Sequence, residues 1–165
     1  MDGTTKDALW QQFGAATGML ENTIHACPQQ LWEDRTRRPQ FWYLVFHTLF
    51  FVDLYLSDSS DGFSPPAPFT RSELDPRGVL PDRAYSKEEL LTYLEHCRSK
   101  ARTRINGLNA ESGARVCRFG WIDLTTVESL IYNMRHVQHH AAQLNLLLRQ
   151  AACEPPDWVP RVDFP

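Results

Sequence analysis

Apolar residues recur along this chain at helical spacing in four separate stretches. Leu9, Phe13, Ala16, Leu20 and Ile24 form a 3.6-residue stripe, which predicts a first helix from about Thr4 to Ala26. Pro28 stops it. From Pro39 through Phe41–Leu56 the chain is apolar nearly all round, which predicts a second helix buried on every side. Leu90, Leu94, Cys97, Ala101, Ile105 and Leu108 make the third stripe. Its start carries a capping box, Ser86 with Glu89 three residues on. Val127, Leu130, Ile131, Met134, Val137, Leu144 and Leu148 make the fourth. Thr125 and Glu128 form a second capping box, and the helix runs to about Ala152.

The breaks between these stretches are equally legible. Ser57 to Tyr85 is rich in Pro, Ser, Asp and Gly, and its prolines forbid a continuous helix. Loops of this length in a compact domain tend to be functional or mobile. Val116–Phe119 reads as a short extended piece before Gly120. The tail from Glu154 to Pro165 is irregular, with Trp158 and Phe164 as expected packing anchors. The fold class that follows is all-α: one domain over residues 1–165, a four-helix bundle with a long crossover loop between helices two and three.

Composition narrows the function. The 165 residues are 42% hydrophobic and carry a net charge of −3, enough apolar material for one core. No basic excess exists to neutralise nucleic-acid phosphates. Arg98, Lys100, Arg102 and Arg104 cluster but point in several directions, and are read as a solvated face. Phe41–Leu56 contains His47, Thr48 and Asp53 and falls short of a membrane span. No signal peptide is visible behind Met1, so a cytoplasmic protein without nucleic-acid or membrane partners is expected. Cys27, Cys97, Cys117 and Cys153 are scattered without a CxxC pair and are read as free thiols.

The chemistry concentrates in the fourth helix, at Arg135-His136-Val137-Gln138-His139-His140-Ala141-Ala142-Gln143-Leu144. His136 and His140 are four residues apart, so a helix stacks them on one face. Gln143 falls beside them and is the expected outer partner of a ligand ring. His139 lies about 100° round the helix and is assigned to the outer shell. His47, alone in the most apolar segment, must find a partner there. Together His47, His136 and His140 form a candidate three-histidine metal site between facing helices. Asp53 and Glu128 are further candidates to accept the outer N–H of a ligand ring. Three neutral imidazoles leave coordination positions open, as in catalytic sites that activate water or polarise a substrate atom. Imidazoles suit Zn, Ni, Cu or Fe. No GxSxG, P-loop or GxGxxG motif occurs. His25 is read as a helix C-terminal charge and His96 as surface.

The arrangement resembles the DinB-like family of metal-binding four-helix bundles, which is unrelated to the DNA polymerase of similar name. The resemblance spans most of the chain. It rests on the Pro28-Gln29-Gln30-Leu31-Trp32 turn, the central His47, the long loop and His136-xxx-His140. Family members often carry His-Arg-Gly-Gln followed by Leu or Ile after the last ligand. Here Ala141-Ala142 replaces Arg-Gly, which removes a contact for an anionic substrate. The resemblance implies His47, His136 and His140 as ligands to a divalent ion, commonly zinc or nickel. It also implies thiol-dependent transferase or isomerase activity in some relatives, a low-molecular-weight thiol as cofactor, and a homodimer. The expected function is a metal-dependent enzyme on a small molecule, by transfer, isomerisation or hydrolysis. The alternative is a non-catalytic metal-dependent binding or stress-response module.

Overall fold

Four long helices make the bundle, and each begins or ends where local chemistry dictates. The computed structural model describes residues 2–162. Helix α1 spans Gly3–Ala26; its N-cap Asp2 accepts from Thr5 N–H at 2.8 Å. A single turn, α2, covers Gln29–Trp32 after Pro28. Helix α3 spans Phe41–Tyr55 and buries twelve of its residues, as its unbroken apolar sequence requires. Helix α4 spans Lys87–Asn106 and opens on the Ser86–Glu89 capping box. A short α5, Ala110–Ala114, follows. Helix α6, Thr126–Gln150, opens on the Thr125–Glu128 box.

Helix α1 packs on α4 and α6, and α3 packs on the same two. The order round the bundle is therefore α1, α6, α3, α4. Between α5 and α6 the extended piece pairs with a second strand that its sequence does not announce. Strand β1, Val116–Arg118, runs antiparallel to β2, Asp123–Thr125, with Cys117 opposite Leu124. Gly120, at φ +88°, makes the reversal. Among the described residues no helix is long and apolar enough to cross a membrane.

Buried polar side chains set the register of α6 on α3. Ser129 donates to the Tyr55 carbonyl and Asn133 Nδ2 donates to the Val52 carbonyl, both at 2.9 Å. A buried polar atom without a partner is costly, so these bonds disfavour any slide of α6 along α3. The stripe they define continues through His136 and His140.

Several expectations are corrected. Ile131 is exposed, since it stands about 100° round α6 from the buried Leu130. Trp158 is 65% exposed and anchors nothing; Val162 takes that role, packed on Gly14 of α1. Phe164 lies outside the described residues. The α4 cations are not a solvated face. Arg98 bridges Glu21 and Glu95, and Lys100 donates to Asp53 Oδ1 at 2.5 Å.

Candidate metal centre

The centre forms where α3 and α6 face each other. His47 comes from the middle of α3, His136 and His140 from successive turns of α6. The ring centroids are 5.6 Å apart for His47–His136, 4.9 Å for His47–His140 and 4.5 Å for His136–His140. One ring nitrogen from each lies within 4.8 Å of the others. The structure thus brings together the three histidines that the sequence singles out.

Two of the rings are held from behind. His140 Nδ1–H donates to Gln143 Oε1 at 2.7 Å, as the spacing predicted. His47 Nδ1–H donates to Glu73 Oε2 at 2.5 Å. An ionised carboxylate only accepts, so the ring must supply the proton. With Nδ1 so engaged, each ring has Nε2 left to ligate an ion. His136 differs: its Nδ1 is buried and has no hydrogen-bond partner among the described residues.

Electrostatics keep the α6 rings neutral. Burial, then the charges of His140 and His47, pushes His136 down to about 3. Burial likewise brings His140 down to about 4, opposed by its Gln143 bond. Neutral imidazole is the form that ligates a cation. An orphaned buried nitrogen, two oriented rings and low proton affinity together fit a divalent ion.

The histidines line a cavity of about 420 Å³. Phe51, Tyr55 and Trp121 supply aromatic wall, and Glu73, Leu74, Asp75 and Pro76 of the crossover loop supply the rest. Burial raises the Tyr55 hydroxyl well above its ordinary range, so it stays protonated and can donate a hydrogen bond.

Glu73 is the site residue that the sequence does not reveal. It sits on the short 3-10 turn Ser72–Leu74, where no periodicity assigns a face. Asp53 is elsewhere, on the α4 side of α3, where it pairs with Lys100 and accepts from Tyr93. Glu128 is occupied as the α6 cap. His139 is exposed, its ring 5.0 Å from that of His140. His96 is exposed too, its Nε2 3.6 Å from Asp53.

A helical bundle with three facing imidazoles defines a class of metal-site scaffold. Within it, the DinB superfamily is matched over residues 12–144, and the chain belongs to that superfamily. No curated protein matches it.

Proposed function

We propose that the chain is a divalent-metal-dependent enzyme acting on a small, largely apolar molecule. The observation that carries this reading is the three-imidazole cluster opening onto an aromatic-walled cavity. His47, His136 and His140 would hold the ion, which when bound acts as a Lewis acid with positions left for a substrate donor atom. The chain's own groups do the rest. Phe51, Trp121, Leu74 and Pro76 exclude water from an apolar substrate body. Tyr55, kept protonated by burial, offers a hydrogen bond. Gln143 and Glu73 hold two ring orientations.

A thiol, if the reaction uses one, comes from outside the chain. Burial raises the Cys27 thiol to about 12 and the Cys97 thiol well above its ordinary value. Cys117 is buried, and Cys153 lines a different cavity with Pro28 and Arg37. A thiol-dependent transfer or isomerisation and a hydrolysis are both consistent with this wall. Zinc and nickel are the ions to test first. A homodimer is part of the same proposal, with the exposed Ile131 and Leu146 of α6 as the apolar positions available to it; light scattering reads it.

A second reading, a non-catalytic binding or stress-response module, has one observation in its favour. Both carboxylates of the cavity are engaged, Glu73 by His47 and Asp75 by Arg77, so neither is free as a base. Elemental analysis of protein purified without chelator or affinity tag is expected to give about one divalent ion per chain, and the His140→Ala variant almost none. Metal-free wild-type protein would overturn both readings. A metal-loaded protein inert towards thiols with electrophilic substrates, and towards small esters and amides, would favour the second.

A further inference from the structure

The crossover loop is anchored at its two ends. On one side Phe69 stacks on Tyr93 with ring centroids 4.3 Å apart. On the other, the Tyr85 carbonyl accepts from Trp32 Nε1, and the Tyr85 hydroxyl accepts from Thr70 N–H. Arg83 pairs with Glu89 at the start of α4. Between these anchors, residues 71–82 bond mainly to themselves: Asp75 caps Arg77, and Gly78 N–H donates to the Asp75 carbonyl.

Besides the partly buried Leu74, one polar group ties this stretch to the helices. Glu73 is 4% exposed at its side chain and accepts from His47 at 2.5 Å. Tyr43 neighbours the same carboxylate. Apart from this carboxylate, no side-chain hydrogen bond joins residues 71–82 to a helix among the described residues. Glu73 Oε1 is buried without a partner. A buried carboxylate is held in place only if something compensates it. A neutral imidazole does so weakly, and an imidazole bearing a cation does so strongly.

We propose that Glu73 is a positioning residue that couples cation binding at the histidine cluster to docking of the 71–82 loop. The inference rests on the metal-site reading above. Glu73 fixes the His47 ring and its tautomer, leaving Nε2 bare towards the cluster, and raises the basicity of that nitrogen. In return, a cation on the ring makes Nδ1–H a better donor and tightens its bond to Glu73. Because coupling is reciprocal, whatever Glu73 contributes to cation affinity, the cation contributes to loop docking. Since Leu74, Asp75 and Pro76 line the cavity, loading the centre also completes its wall.

The test uses the full chain, stripped of metal, with zinc alone as the probe. Zinc affinity is read by competition with a chromophoric chelator, and loop docking by amide exchange of residues 71–82. In wild type, zinc is expected to slow exchange in that stretch. Glu73→Ala is expected to weaken zinc by about 10–100-fold and to abolish the zinc effect on the loop. Exchange in α1 and α4 should stay as in wild type, which shows the bundle folded. Glu73→Gln keeps an oxygen acceptor for His47 and is expected to recover part of the affinity. Wild-type affinity in Glu73→Ala, or loop exchange indifferent to zinc in wild type, would overturn the coupling while leaving the metal site standing. Failure of wild type to bind zinc would overturn the site itself, and this inference with it.

Discussion

The three histidines differ in how the fold holds them, and the difference is measurable. His136 and His140 are neutral because burial strips water from their rings and each sits among other imidazoles. An imidazole in an unfolded chain titrates near 6.5, above both folded values of about 3 and 4. Below about pH 6.5 the unfolded chain therefore binds more protons, and stability of the metal-free protein falls as pH drops. Nuclear magnetic resonance of the metal-free chain near pH 5.5, a unit below the free imidazole value, is expected to find both rings neutral. Asp53 gives a second residue-scale prediction. It is buried and bonded to Lys100 and Tyr93, not to a ring of the histidine cluster. Lys100 keeps the Asp53 carbonyl and Ser57 as acceptors, but the buried Tyr93 hydroxyl loses its partner, so Asp53→Ala is expected to cost about 1–3 kcal/mol in denaturant unfolding. His136 and His140 were legible because a helix converts a four-residue spacing into a shared face, and His47 because it stands alone in an apolar segment. Glu73 was not, because a loop offers no such rule.

At the scale of elements, the capping boxes carried the most information. Ser86–Glu89 and Thr125–Glu128 each close reciprocally in the structure, and both helix starts fall where those residues place them. Thr125→Ala is expected to cost about 1 kcal/mol, read as a lowered thermal midpoint. It should also loosen the first turn of α6, because Thr125 ends β2 as well. The second strand escaped the sequence because its three residues, Asp123–Thr125, are too short for alternation to register. Its pairing depends on β1 and on the Gly120 reversal rather than on its own pattern. The short helices α2 and α5 escaped for the same reason: a turn or so of helix has no period to detect.

For the molecule as a whole, apolar periodicity gave the four long helices and the crossover, while the ring order depended on contacts no stripe encodes. The tail shows this best. It crosses α1 where Gly14 and Gly18 leave room: a Cβ on Gly14 would lie 2.8 Å from Val162. Gly14→Ala gains about 1 kcal/mol of helix propensity yet displaces that side chain. The two effects oppose each other in global stability, so the informative measurement is proteolysis. Cleavage within residues 154–162 is expected to accelerate in the variant.

The cluster draws its histidines from α3 and α6, and about 90 positions separate His47 from His136. A fragment that ends before α6 carries only one of the three, and no rearrangement of it can assemble the set. During synthesis the site comes into existence only after His140 has been added. An ion seated there would join distant parts of the chain and close the long loop between them as a removable crosslink does. Capture of a metal would thus register the arrival of α6: products cut short before it would stay unclasped, and those that include it would gain a fastening their shorter siblings lack.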